Sequence, residues 1–187
     1  MKKIMKIMKI FKGFHYPFPL DFGGYLVKKV NPDDNYIANT SYTFDPNCKY
    51  EIGEDQSDVN KLFGFSLGYH HQDSVRIGWR YRDGNLEICY YAYQNGKRLP
   101  TKVIEKIELK DKPVTVDIDL SFDREFDEIS IIVQTDRSCK CIDYEYSFQN
   151  DKPVWSYGLG LYFGGNKTAP HTMKVTRNYM DASWGRK

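Results

Sequence analysis

Between Lys61 and Arg98 the chain spells out three strands and two hairpin turns in succession. Ser74 to Arg82 alternates with Val75, Ile77, Trp79 and Tyr81 on one side and Ser74, Arg76, Gly78, Arg80 and Arg82 on the other, the period of a half-buried strand. That run leads into Asp83-Gly84-Asn85, and the next, Leu86 to Tyr93, leads into Asn95-Gly96. Both dipeptides supply the positive φ that primed two-residue turns require. A chain built around such a segment folds as antiparallel β.

The rest of the sequence repeats the signal at intervals of about ten residues. Strands are predicted at Tyr25–Val30, Tyr36–Phe44, Lys49–Ile52, Lys61–Tyr69, Ser74–Arg82, Leu86–Gln94, Lys102–Leu109, Val114–Phe122, Ile129–Thr135, Lys140–Phe148, Trp155–Phe163 and Thr172–Arg177. Val114 to Phe122 is the cleanest, with Val114, Val116, Ile118, Leu120 and Phe122 set against Thr115, Asp117, Asp119 and Ser121. Helical periodicity is confined to the N-terminus and to a turn near Asp55–Lys61, where Asp58 is placed to cap. About twelve strands in one domain need two packed sheets, so the expected fold is all-β, an antiparallel two-sheet β-sandwich of jelly-roll or lectin type. At 187 residues a single domain, 13–187, accommodates the chain behind an N-terminal segment, 1–12.

That segment repeats two apolar residues and a lysine: Ile4-Met5-Lys6, Ile7-Met8-Lys9, Ile10-Phe11-Lys12. Lysine at every third position denies it the apolar run of a secretory signal. It reads as a basic amphipathic arm that docks on a partner or a membrane surface, or as a short leader that packs along the domain. Gly13 to Gly24, with Phe14, His15, Tyr16, Pro17, Phe18, Pro19 and Phe22, reads as an irregular or edge segment, since its prolines forbid a central strand. No stretch approaches the roughly 18 apolar residues of a membrane helix. A net charge of +2 from 27 basic and 25 acidic residues is too balanced for a nucleic-acid protein. Aromatic residues make up 16%, with 15 Tyr, which suits a surface that stacks on sugars or on another protein. Cys48, Cys89, Cys139 and Cys141 read as buried, reduced thiols in a reducing compartment, because the one close pair faces a single side of a strand and lacks a second pair for zinc. Neither a cofactor nor a metal is expected.

Candidate chemistry is sparse. Asp117 with Asp119, Glu125 with Asp127 and Asp143 with Glu145 share strand faces as a glycosidase pair must, but such pairs are ordinary on solvated strands. His70 and His71, adjacent in a turn, would point to opposite faces on a strand; a turn relaxes that, but no further metal ligand accompanies them, so they read as structural. A β-eliminating lyase needs Tyr and His as base and acid, with Arg, Asn or Gln neutralising the substrate carboxylate. Arg76, Arg80, Gln134, His70, His71 and Tyr162 are of those types. In this respect the chain resembles the jelly-roll alginate lyases, which carry an Arg-rich strand, a Gln-x-His strand and a Tyr-Phe-Lys-x-Gly strand. It departs from them at Val133-Gln134-Thr135, where threonine stands for the histidine, and at Tyr162-Phe163-Gly164, where the lysine is missing.

A second resemblance runs from Lys61 through Val175. It is carried by Phe63-Gly64-Phe65-Ser66-Leu67-Gly68-Tyr69-His70-His71, by Arg76-Ile77-Gly78-Trp79-Arg80-Tyr81 and by Tyr162-Phe163-Gly164-Gly165-Asn166-Lys167-Thr168-Ala169-Pro170-His171. These segments resemble small concanavalin A-like β-sandwich proteins of Bacteroidales and of their tailed, crAss-like phages. The resemblance implies a non-catalytic module, a virion accessory protein in the virion or the bacterial cytoplasm that binds neighbouring virion proteins or a surface glycan, alone or as a homo-oligomer. A polysaccharide lyase or glycoside hydrolase is the alternative, and no catalytic residue is assigned. Arg76, Arg80, Arg82, Tyr91, Tyr93 and Tyr162 are the residues expected to meet a ligand or partner. Three arginines on one strand face demand counter-charges, and what they meet separates the readings.

Overall fold

The computed structural model describes residues 4–148 and 151–186. Fourteen strands follow in chain order: β1 (Lys6–Ile10), β2 (Pro17–Phe18), β3 (Val27–Val30), β4 (Asn35–Phe44), β5 (Asn60–Ser66), β6 (Ser74–Arg82), β7 (Asn85–Gln94), β8 (Lys97–Arg98), β9 (Lys102–Glu108), β10 (Val114–Asp123), β11 (Glu128–Gln134), β12 (Cys139–Glu145), β13 (Val154–Leu159) and β14 (Met173–Gly185). Among the described residues the only helical turns are two short 3₁₀ segments, Pro46–Cys48 and Gly53–Ser57. No helix is long and apolar enough to cross a membrane.

The strands form two antiparallel seven-stranded sheets. The first runs β12-β11-β10-β4-β14-β1-β2, and the second runs β3-β13-β5-β6-β7, with β8 and β9 both pairing β7. Asp83 and Gly84 (φ 50° and 79°) and Asn95 and Gly96 (φ 51° and 75°) supply the left-handed residues of the two tight turns, joining β6 to β7 and β7 to β8. The inward side chains of the two sheets meet in one core. Val75, Ile77 and Trp79 from β6 and Val116, Ile118, Leu120 and Phe122 from β10 are fully buried there, each stabilising by about 1.5–3 kcal/mol. Rings knit the layers: Trp79 lies against Phe44 and Tyr50, and Phe65 against Tyr36, Phe122 and Trp184.

Several expected boundaries shift for physical reasons. Lys49–Ile52 is not a strand, because the preceding 3₁₀ turn, capped by the Asp45 carboxylate, and the Gln56 amide, bonded to Ile52 N–H and Tyr50 C=O, take up its backbone groups. Asp58 stands at the C-terminal end of its 3₁₀ turn rather than capping a start. β14 runs far beyond the expected Arg177, across an irregularity in register between Arg177 and Tyr179. Lys6–Ile10, inside the expected arm, pairs with β14, and its Met8 and Ile10 are fully buried. Pro17–Phe18 holds the edge, where a proline costs no ladder bond.

Of the cysteines, Cys48 and Cys89 are buried and free, as expected, and burial pushes both thiols up to about 12. Cys139 and Cys141 are free but exposed. They lie on the outer face of an edge strand, whose inward residues are Ile142 and Tyr144.

Candidate functional site

The inward turn of Val75, Ile77 and Trp79 leaves Arg76 on the outer face of the second sheet. Cross-strand register there sets Arg76 opposite Tyr91 on one side and Gly64 on the other, and Ser74 opposite Tyr93. Lys61 of β5 sits opposite Gly78, and its ammonium lies 4.7 Å from the centre of the Tyr91 ring, while the Arg76 guanidinium carbon lies 6.0 Å from that same ring. The Tyr91 ring thus lies within cation–π range of two cations. Glycines make room for this crowding: a Cβ at Gly78 would come within 2.2 Å of Val59, and one at Gly164 within 2.5 Å of Lys61 Nζ.

Arg76 is only 8% exposed, and its Nε is buried without a hydrogen-bond partner. Among the described residues its neighbours in charge are the phenols Tyr91, Tyr157 and Tyr93, not a carboxylate, and burial lowers its pKa. Lys61 is lowered to about 8, by burial first and then by Arg76, with Asp58 opposing. Its ammonium donates to the Val59 carbonyl at 2.7 Å. Two cations held close together and largely desolvated, with Asp58 as the carboxylate acting on Lys61, create a local positive potential.

Histidines and further aromatics extend the face in both directions. On the β13 side, Tyr157 Oη accepts the His70 backbone N–H at 3.0 Å and pairs with His70 Nδ1 at 2.8 Å. Burial, Arg76 and His71 together lower His70 to about 4, so its imidazole is neutral near pH 7. His71 packs on His70 and Tyr93, and exposed Tyr69 (63%) and Trp155 (62%) lie beyond. Beyond the end of β13, at the start of β5, Tyr162 forms a two-bond bridge with Lys61, stacks on His15 with centroids 5.1 Å apart and meets exposed Tyr16 edge-on. His15 is itself fixed by donating from Nδ1 to the Phe163 carbonyl.

The structure therefore gathers Arg76, Tyr91, Tyr93 and Tyr162 of the expected residues. It sets the other two arginines apart. Arg80 Nε donates to Glu87 at 2.6 Å, and the same nearly buried carboxylate takes Lys106 at 3.1 Å. Arg82 is solvated at the hairpin end, 3.4 Å from Asp83. Gln134 is exposed on β11, in the other sheet, so the expected Gln strand of a lyase does not join Arg76. Asp143 and Glu145 lie on the outer face of β12. No cluster of three metal-binding side chains occurs among the described residues. Sequence reasoning passed over Lys61, Tyr157 and His15. Lys61 stood one residue from a clear apolar run on a strand already counted, and its outward position was the available signal.

No protein-family model and no curated protein matches the sequence. Solved structures do match the fold. The chain superposes on an alginate lyase of Pseudomonas aeruginosa with a TM-score of 0.58 at 9% identity, over 82% of this chain and 66% of that one. For an alginate lyase of Klebsiella pneumoniae the values are 0.55 and 11%, over 81% and 60%. A seed lectin of Lotus tetragonolobus matches with a TM-score of 0.51 at 8% identity, over 98% of this chain and 94% of the lectin. The fold is the concanavalin A-like jelly roll shared by lectins and polysaccharide-active enzymes. The chain spans 60–66% of the length of these two lyases. The narrower likeness to Bacteroidales and phage proteins has no counterpart in these matches.

Proposed function

We propose that the outer face of the second sheet binds an acidic polysaccharide, a chain of uronic acids, with Arg76 as the carboxylate anchor. The observation that carries this reading is the buried Arg76 guanidinium, which among the described residues has an unpartnered Nε and no carboxylate beside it. A uronate carboxylate accepts the paired N–H donors that such a guanidinium offers. Lys61 adds a second positive charge across the Tyr91 ring. Tyr16, Tyr162, Tyr69 and Trp155 at the two ends offer rings for successive sugars. The fold's presence in alginate lyases and in a lectin supports a carbohydrate ligand.

The test is titration calorimetry with alginate and polygalacturonate oligomers against neutral β-glucans. Binding that prefers the uronates, grows with oligomer length and weakens with salt is expected. Arg76→Ala should lower affinity on the order of 10- to 100-fold, the worth of charge-assisted hydrogen bonds, and Arg82→Ala should leave it unchanged. Equal affinity for neutral glucans, or none for the uronates, overturns the reading.

His70 favours a second reading on the same face, that of a uronate lyase. Neutral near pH 7 and coupled to the Tyr157 hydroxyl at 2.8 Å within the field of Arg76, it has the form of a base for the proton alpha to a neutralised carboxylate. Loss of that proton would expel the linked sugar and leave an unsaturated uronate. Ultraviolet absorbance growing during incubation with alginate, and lost in His70→Ala, supports it. Tight binding with no absorbance change leaves the binding module alone.

A further inference from the structure

We propose that β12 is a redox-gated dimerisation edge, at which two copies of this chain pair antiparallel and lock through two symmetric disulfides between Cys139 of one copy and Cys141 of the other. β12 ends the first sheet, with β11 on one side and, among the described residues, no strand on the other. The bonds at the two ends of its ladder set the phase: Thr135 N–H donates to Ser138 at 2.8 Å, and Tyr146 N–H to Asp127 at 2.7 Å. The ladder between them is regular, so even-numbered Lys140, Ile142 and Tyr144 bond to β11. Odd-numbered Cys139, Cys141 and Asp143 direct their N–H and C=O groups to the open edge. Exposed edge groups of this kind are a template for another strand.

One register uses every feature of that edge. With Lys140 opposite Lys140 of the second copy, Cys139 faces the partner's Cys141, and Cys141 faces the partner's Cys139. Each is a hydrogen-bonded pair with Cα atoms about 5.5 Å apart, inside the roughly 4.4–6.8 Å that a disulfide spans, while the Cβ atoms, about 5.5 Å apart in such a pair, must draw in toward about 4 Å, which leaves the bond strained and readily reduced. Asp143 then lies opposite the partner's Arg137, whose exposed side chain pairs within one copy with its neighbour Asp136 at 3.6 Å. Sliding the register by two residues brings one cysteine opposite itself and strands the other two. Closure within one copy is disfavoured, because residues two apart on a strand sit about 6.8 Å apart with parallel Cβ bonds.

The same register explains the gate. Lys140 meets its twin in the close, non-hydrogen-bonded position on the opposite face, where like charges repel. The reduced chain is thus held apart until disulfides form. A low-molecular-weight disulfide such as oxidised glutathione is the oxidant: four thiols give up four hydrogens and their electrons, two protein disulfides form, and two glutathione disulfides become four thiols. Cys48 and Cys89 are buried and stay out of the exchange. The two-fold axis stands perpendicular to the joined sheets, so both Arg76 faces open to one side and one polymer can engage them together.

The experiment treats the reduced full chain with oxidised glutathione and follows mass by light scattering, with linkages mapped on non-reduced peptides. The expected result is a doubling of mass, reversed by reductant, with Cys139 linked to Cys141 between copies. Cys139→Ser and Cys141→Ser should each abolish the covalent dimer, because in this register the surviving cysteine faces serine. A glutathionylated monomer, an intrachain Cys139–Cys141 bond, like-to-like linkages or a covalent dimer in either single variant overturns the proposal.

Discussion

Arg76, Arg80 and Arg82 occupy equivalent places in the alternation of one strand, and the fold gives them three fates. Arg82 is solvated, Arg80 is consumed by Glu87, and Arg76 is left with phenols. The alternation made all three legible as outward; it could not show which would find a carboxylate, because Glu87 reaches Arg80 only through the β6–β7 register. Lys61, beside Arg76, is the residue whose charge the environment controls most directly. Since its pKa is lowered to about 8, a polyuronate that depends on it should bind progressively less tightly as pH rises through that value, and Lys61→Met should flatten the profile in calorimetric titrations. Stability runs the opposite way. The unfolded chain keeps the lysine protonated to its ordinary 10.5, so it binds more protons than the folded chain above about 8, and stability should rise from there toward 10.5. Thermal melts across this range, steeper in the wild type than in Lys61→Met, check the sign.

At the scale of elements, β6, β7 and the two hairpin turns flanking β7 were legible because period-two patterning and Asp-Gly and Asn-Gly turns agree. β5 hides a subtler requirement. Gly64 lies opposite Arg76, and a Cβ there would stand 2.1 Å from the Val75 carbonyl and 2.7 Å from Arg76 Cα, both backbone atoms that cannot swing aside. Gly64→Ala should therefore destabilise the fold by about 1–3 kcal/mol, the usual cost of overpacking, read as a lower urea midpoint. The β6–β7 pairing also carries the Arg80–Glu87–Lys106 cluster. Burial opposes ionisation of Glu87, but Arg80 and Lys106 outweigh it and the pKa is lowered. Its contribution is then present above the unfolded carboxylate pKa and lost as pH falls through the folded one. Glu87→Gln should cost about 3 kcal/mol at neutral pH by stranding Arg80, and less in acid. Elements that depend on distant partners were the ones sequence could not delimit. Lys49–Ile52 looks like a strand but spends its backbone on Gln56, while β14 extends because β4 runs alongside it to Asn35.

Across the whole molecule, the open question in the sequence was what a basic, apolar N-terminal triplet repeat does in a sandwich. Local pattern could not decide, since a three-residue repeat lies between the strand period of two and the helix period of 3.6, nearer the helix. In the structure Lys6–Ile10 inserts between β14 and β2 in the first sheet. Met8 and Ile10 turn into the core at 0% exposure, and Lys6 lies 3.7 Å from Asp21, which also holds Arg177 at 2.6 Å. Met5, Ile7 and Phe11 remain outside at 62%, 47% and 43% exposure. Two fully buried side chains of this size are worth about 3–6 kcal/mol together, much of a small domain's margin of about 5–15 kcal/mol. Deleting residues 1–10 should therefore lower the urea midpoint sharply and open the edge of β14. Met5→Ser with Ile7→Ser, which alters only the outer side, should leave the midpoint nearly unchanged. Were the segment purely a docking arm, the deletion would leave stability intact and only association with a partner would suffer. Equilibrium unfolding of the three proteins, followed by tryptophan fluorescence because Trp79 and Trp184 report the core beneath both sheets, separates these outcomes.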